Sequence, residues 1–186
     1  MNNIFNDYFE IKECELSFES ALKDENLSQA RVSELKKFQM LFLPSRKYHN
    51  EEGYFFYSAT RDFYLTCKNK SPDNHFDFCT EKGSYQNLSL HSNELFLGTL
   101  LVKYVVLPIF INLLSDYIYE NLKNSDDKVS VNIIIENDET GKSHEITFRG
   151  TKADFDKNVK NALQTYSKDG KINIPELKGI NINVLS

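Results

Sequence analysis

The sequence predicts an α/β or α+β protein, because segments with strand-like alternation and segments with helical spacing of apolar residues follow one another along the chain. Residues 1–125 form a predicted α/β region of βα type with a buried central helix pair. Residues 126–186 form a predicted β-hairpin–helix–strand (ββαβ) unit. With 186 residues, 40% hydrophobic residues and a net charge of -5, we expect both parts to pack as one compact globular domain.

The first 37 residues carry two competing patterns. Phe9 and Ile11 alternate with charged residues, as in a strand, whereas Arg31 lies in a row of helical spacing with leucines on either side. We predict a short strand or irregular structure, followed by a helix at about residues 28–37. Whether the earlier part is strand or helix stays open at this point.

The next elements alternate in type. Residues 38–44, FQMLFLP, are a short apolar run closed by proline and indicate a buried strand. A loop is predicted at 45–53 and an amphipathic helix at 54–69, where apolar residues recur at steps of three and four. The segments 75–79 and 84–90 are two further strand candidates.

An apolar stretch at residues 97–119 raises the question of a membrane span, which takes about 20 apolar residues. Lys103 interrupts it, and a centrally placed lysine costs roughly 2.5 to 3.5 kcal/mol to insert. Polar residues after Pro108 also recur at steps of three and four, which makes one stripe along a helix. This polar stripe consists of Asn112, Asp116, Glu120 and Lys123. A polar stripe is unfavourable on a helix that faces lipid. We therefore predict that this stretch lies in the interior of a soluble domain, and we predict no membrane partner.

The same stretch is interpreted as two consecutive helices. Ser92 is a suitable N-cap for the first helix, with Glu94 in its first turn. Pro108 begins the second, because proline is tolerated in the first turn but interrupts the hydrogen bonding of a continuous helix. Since the pair has little polar surface, we expect it at the centre of the domain or in a subunit interface.

The pattern is cleanest after residue 128. Two alternating segments around a turn predict a β-hairpin at 129–149. Thr151 is then a suitable cap for a helix, with Asp154 three residues later. A last strand is predicted at 180–184.

The segment HFDFC places His75, Asp77 and Cys79 on one face of a predicted strand. These residue types bind zinc or pair a thiol with a base. On a straight strand, however, they are spread over roughly 13 Å and do not converge on one ion. We therefore interpret the segment as structural and predict no metal site.

A second candidate is a group of basic and acidic residues between a predicted strand and the start of a helix, where α/β sheets often hold an anionic ligand. Its glycine content is low, with Gly53 alone in the loop, so an ordinary solvated loop is the alternative interpretation. The residues of this candidate ligand site are Arg46, Lys47, His49, Arg61 and Asp62.

Standard phosphate-binding, dinucleotide-binding, zinc-protease and nucleophile-elbow motifs are absent from the sequence. From Lys142 onward there are eight Lys or Arg against five Asp or Glu, but the whole chain is acidic. We therefore predict no catalytic residues, no cofactor and no nucleic-acid partner.

The leading functional hypothesis is a non-enzymatic protein-interaction or accessory subunit that binds its own copies or a larger protein. The 14 Phe and 10 Tyr support it, because aromatic residues are enriched in interface cores. Candidate interface residues are Ile109, Phe110, Leu113, Tyr117 and Lys157. The alternative is a regulator that binds a small anionic ligand or nucleotide, or an enzyme, with its site near Arg46, Arg61 and Asp62.

The expected compartment is the cytoplasm, because the first residues carry neither the basic nor the apolar region of a signal peptide. The residue usage, rich in Asn, Lys and Ile, suggests a bacterial or phage origin, and a role in bacterial defence or host–phage conflict is one hypothesis.

Overall fold

The computed structural model describes residues 7–71, 73, 75–90 and 92–170. It is 37% helical and 36% strand, with mixed sheets, which confirms the α/β or α+β class. None of the described helices combines the length and apolar character needed to cross a bilayer.

The described strands, in chain order, are β1 (Tyr8–Cys14), β2 (Met40–Leu43), β3 (Ser45–Tyr48), β4 (Glu51–Tyr57), β5 (Phe76–Phe78), β6 (Gln86–Leu88), β7 (Glu94–Lys103), β8 (Lys128–Asn137) and β9 (Lys142–Thr151). Six of them form a main sheet in the order β1-β9-β8-β7-β2-β5, and three form a small sheet in the order β3-β4-β6. The β7–β8 and β2–β5 pairs of the main sheet are parallel, and its other pairs are antiparallel.

The described helices are α1 (Phe18–Ala21), α2 (Gln29–Leu35), α3 (Ser58–Lys70), α4 (Leu107–Asn121), α5 (Lys152–Asp154) and α6 (Asn161–Asp169). A 3-10 turn at Tyr104–Val106 precedes α4, and a π-helical segment at Phe155–Lys160 joins α5 to α6. The predicted strand at 180–184 lies outside the described residues.

Helices cover the main sheet on both faces. The larger core lies between one face and α3, α4 and α6, whereas the smaller core lies under α1 and α2 on the other face. Neighbouring residues of β7 show the division, because Leu100 belongs to the larger core and Leu101 to the smaller one. The sheet is therefore the middle layer of the molecule.

The prediction of a helix beginning near Ser92 is wrong, because residues 94–103 form β7. This strand pairs with β2 on one side and β8 on the other, and much of it is buried from both faces. A strand buried on both faces is continuously apolar and gives the same pattern as a buried helix.

The second helix of the predicted pair is confirmed as α4, with Pro108 in its first turn. The predicted polar stripe is confirmed along α4, where Asn112, Asp116 and Glu120 are exposed, whereas Lys123 is exposed but lies beyond the end of the helix at Asn121. The apolar residues between them face the larger core.

The loop predicted at 45–53 is wrong in part, because β3 and β4 form an antiparallel hairpin there. Residues 54–57 continue β4, so the following helix begins at Ser58 and not at residue 54. The helical spacing of apolar residues at steps of three and four begins at Phe56, inside β4. It does so because Phe56 packs in the same core as the buried residues of α3.

Other predicted elements are confirmed. Strands β2, β5 and β6 occur where short apolar or alternating runs predicted them, and Ser28 caps α2 by accepting a hydrogen bond from the Arg31 amide. The hairpin β8–β9 is present, and Thr151 caps the helix that follows.

Strand pairing connects the two predicted parts of the chain. β8, from the second part, pairs in parallel with β7, from the first. β1, close to the N-terminus, pairs with β9 along its whole length. The main sheet therefore takes strands from both parts.

Candidate functional site

The most exposed large apolar side chain in the described part of the chain lies just before α4. Val105 is 63% exposed, and Ile109, four positions later, is 46% exposed. The 3-10 turn and the first turn of α4 hold them on the outside, while Val106 and Phe110 point into the core. Two neighbouring aliphatic side chains are thus left to solvent.

A shallow apolar depression adjoins these residues. Ile109 forms part of its lining, together with Met40 of β2, Phe76 of β5 and Leu113 of α4. We call the surface made by Val105 and Ile109, above the buried side chains of Met40, Phe76 and Leu113, the apolar edge surface, because β5 is the last strand at this end of the main sheet. His75, which is also part of the lining, lies with Nε2 4.0 Å from a carboxylate oxygen of Asp73 and gives it a polar rim.

The structure separates the five predicted interface residues. Phe110, Leu113 and Tyr117 are buried in the larger core, where the Tyr117 hydroxyl donates to the Ala59 carbonyl oxygen at 3.1 Å. Lys157 is exposed on the π-helical segment. Ile109 is thus the one apolar member of the set with an exposed side chain. The other three apolar members lie on the face of α4 that packs into the larger core of the chain.

The predicted ligand residues of the small sheet are held by local contacts. Arg46 of β3 pairs with Asp24, and its guanidinium lies 4.3 Å from the centre of the Tyr54 ring. The Tyr54 hydroxyl also donates to Asp24, at 2.9 Å. Hydrogen bonds from Tyr54 and from the Asn26 amide lower the pKa of Asp24 despite its partial burial, which opposes that shift. This cluster joins the α1–α2 connection to the β3–β4 hairpin.

The remaining predicted ligand residues do not join that cluster in the described structure. Lys47 is exposed on β3, and His49 lies in the β3–β4 turn with φ 51°. Arg61 and Asp62 are exposed in the first half of α3, and within the described residues no hydrogen bond or ion pair connects them to Arg46. Ligand binding by these five residues stays a prediction.

The three polar residues of HFDFC go to three different environments. Asp77 pairs with Arg31 at 3.1 Å, and Cys79 is buried in the smaller core, where burial raises the pKa of its thiol to about 11. His75 stays at the rim near Asp73. No group of three metal-binding side chains was found within the described residues.

Arg31 is a residue whose role the sequence did not reveal. Its side chain is 4% exposed and donates to the carbonyl oxygens of Thr80, at 2.7 Å, and Phe78, at 2.8 Å, as well as to Glu34 and Asp77. Its position among leucines on the apolar stripe of α2 is the sequence feature that indicates burial of this side chain. A charge at such a position needs buried partners.

The fold and the apolar edge surface define a mixed-sheet α/β or α+β protein with a small exposed apolar site. No protein-family model matches the chain, and no curated protein or solved structure shows significant similarity to it.

Proposed function

We propose that this protein is a non-enzymatic interaction subunit and that it associates with a second copy of itself through the apolar edge surface. The observation that carries the proposal is the exposure of Val105 and Ile109, four positions apart at the start of α4, where Ile109 also lines a small apolar depression. Large exposed apolar side chains that lie together typically mark binding sites, whereas isolated ones need no explanation.

A second copy suits this surface because a patch made of two exposed aliphatic side chains can pack against an identical patch. In a two-fold symmetric dimer, each patch meets the same patch of the other copy, so it must be complementary to itself. Val105 and Ile109 of one copy would then pack against the same two side chains of the other. Full burial of such an aliphatic side chain contributes about 1.5 to 3 kcal/mol, and each copy supplies two of them.

We also propose that this assembly works in the cytoplasm. All three cysteines, Cys14, Cys67 and Cys79, are free thiols. Burial raises the pKa of Cys67 to about 12 and that of Cys79 to about 11, so both stay protonated at neutral pH. Unpaired thiols are typical of a reducing compartment.

The oligomeric state tests the proposal. We expect wild-type protein to form a dimer in sedimentation velocity and light-scattering measurements, with dissociation on dilution. Ile109→Asp should be monomeric over the same concentrations, because a carboxylate would be buried in an apolar contact. Its melting temperature at low concentration should stay close to that of the wild-type monomer, since Ile109 is exposed within the chain.

Leu65→Asp is the matched control. Leu65 is 45% exposed, like Ile109, but it lies on α3 and is not part of the apolar edge surface. This variant should remain a dimer. A wild type that stays monomeric up to the hundred-micromolar range, or an Ile109→Asp variant that dimerises as well as wild type, would overturn the proposal.

A further inference from the structure

A cleft lies between the main sheet and the small sheet, away from the apolar edge surface. Its volume is about 190 Å³. The buried side chains of Phe55, Phe56 and Thr60 line it together with half-buried residues from both sheets. These half-buried residues are Leu43, Ser45, Tyr57, Gly98 and Thr99.

The cleft coincides with an irregularity in the centre of the main sheet. The β7–β8 pairing shifts register between Phe96 and Thr99, and Gly98 adopts φ +64°. The β2–β7 pairing ends at Thr99, so Leu97 and Gly98 have no ladder partner in either described neighbour. A glycine bulge in a strand often marks a place where a ligand approaches the backbone closely, and bulges are over-represented beside functional sites.

Gly98 forms the bulge and also lines the cleft. A Cβ atom at this position would lie 3.7 Å from both Thr60 Oγ1 and Tyr57 Cδ2, in ordinary contact with residues that line the cleft. The positive φ of Gly98 is a conformation that other residues rarely adopt. The backbone shape therefore depends on glycine here, and a larger side chain would occupy part of the cleft.

The chemistry of the lining is distinctive. Four side chains bear hydroxyl groups, two are phenylalanine rings, and none of the described lining residues is charged. The Ser45 hydroxyl donates to the Lys47 carbonyl oxygen at 2.9 Å, and that of Thr60 reaches the Phe96 carbonyl oxygen only at 3.4 Å. The hydroxyls of Tyr57 and Thr99 have no hydrogen-bond partner within the described residues. Burial raises the pKa of Tyr57, so its phenol is a donor at neutral pH.

We propose that this cleft binds a small neutral ring compound that has hydrogen-bonding groups on its edge and an apolar face, such as a nucleoside or a monosaccharide. The aromatic rings would contact the apolar face, and the free hydroxyls of Tyr57 and Thr99 would bond the polar edge. The volume is below the range of about 300 to 1,000 Å³ typical of drug-sized ligands, which limits the ligand to one or two rings.

An anionic ligand fits this cleft poorly. Arg46 follows the lining residue Ser45 in sequence, but its charge is already paired with Asp24. A phosphate in the cleft would find hydroxyl groups and no described cation, and an unpaired charge is costly to remove from water. This separates the proposal from the anionic ligand predicted at Arg46, Arg61 and Asp62.

Titration of the full chain with two sets of neutral probes tests the proposal. Adenosine and uridine represent nucleosides, and glucose and N-acetylglucosamine represent monosaccharides. The corresponding monophosphates AMP and UMP serve as charged counterparts. We expect saturable binding of at least one neutral probe by calorimetry, with shifts of the Gly98 and Thr99 amide signals in NMR spectra. The nucleotide should bind no more tightly than its nucleoside.

Isosteric variants then assign the site. Thr99→Val and Tyr57→Phe each remove one hydroxyl group. Each should lower the binding affinity for the neutral probe by about 2- to 10-fold, the loss expected for one hydrogen bond. Thr165→Val is the matched control, because Thr165 is exposed on α6 outside the cleft. It should bind as wild type does.

The outcomes separate clearly. Binding of a nucleoside or a monosaccharide would support the proposal if both cleft variants weaken that binding. The probe that binds would then identify the class of ligand. No binding by any neutral probe at millimolar concentration would overturn it. Binding that neither variant affects, or a nucleotide that binds more tightly than its nucleoside, would also overturn it. None of these results depends on whether the protein is a dimer.

Discussion

Arg31 is a buried cation held by acceptors on two segments of the chain, residues 77–80 and α2 itself. Its guanidinium bonds the Thr80 and Phe78 carbonyl oxygens and the Asp77 carboxylate, and so connects α2 to β5 and the residues after it. Glu34, one turn further along α2, accepts a further bond at 2.9 Å. The rigid fork of donors in arginine suits such an arrangement, and the single ammonium of lysine does not.

We expect Arg31→Ala to destabilise the protein by about 3 to 5 kcal/mol, because it leaves a carboxylate and two carbonyl groups without their partner in a low-dielectric environment. Chemical denaturation followed by circular dichroism would measure the change. Arg61→Ala is the matched control, since Arg61 is exposed on α3 and should change stability by no more than about 0.5 kcal/mol. Equal effects of the two variants would contradict the structural role of Arg31.

At the scale of single elements, the helix after β9 shows what the spacing of apolar residues predicts and what it misses. The spacing of apolar residues after Thr151 predicts one buried stripe, and the structure confirms it at every position: Phe155, Val159, Ala162, Leu163 and Tyr166 are all buried. The π-helical segment was not predicted, although it carries the first two of these residues. A single π turn shifts the spacing by only one residue, so a short stripe does not reveal it.

The two faces of this helix should respond differently to mutation. Thr151 Oγ1 accepts from the Asp154 amide at 3.3 Å, so Thr151→Ala should cost about 0.5 to 2 kcal/mol. Phe155 is buried and lies edge-on to Phe148, with ring centres 5.9 Å apart. Phe155→Ala should therefore cost about 3 to 5 kcal/mol.

Lys157→Ala, on the exposed side of the same segment, should leave stability nearly unchanged. Urea denaturation midpoints of the three variants provide the comparison. A loss for Lys157→Ala as large as that for Phe155→Ala would mean that the helix packs through the other face.

At the scale of the whole molecule, the main sheet makes each half of the chain depend on the other. β8 lies between β7 and β9, and α6 packs against α4. A fragment of residues 126–186 would retain the β8–β9 hairpin and its helix but would lose β1, β7 and α4. A hairpin needs further strands or packed helices to be stable in water.

We therefore expect the isolated fragment 126–186 to be unfolded, with poorly dispersed amide signals in its NMR spectrum. The full chain should unfold in one cooperative transition when followed by fluorescence and circular dichroism. A fragment with a dispersed spectrum and a cooperative melt would show that it is a separate domain.

The sequence by itself determined the elements in which polar and apolar residues separate onto different faces. The β8–β9 hairpin and the polar stripe of α4 were predictable because this separation imposes a period on the residues, and the cap at Thr151 was predictable because threonine is a preferred N-cap residue. Only the tertiary structure decided that residues 94–103 are a strand, since burial from both faces removes that period. It also decided which apolar residues stay exposed. Ile109 and Phe110 are neighbours with similar hydrophobicity, and packing alone leaves the first at the surface and buries the second.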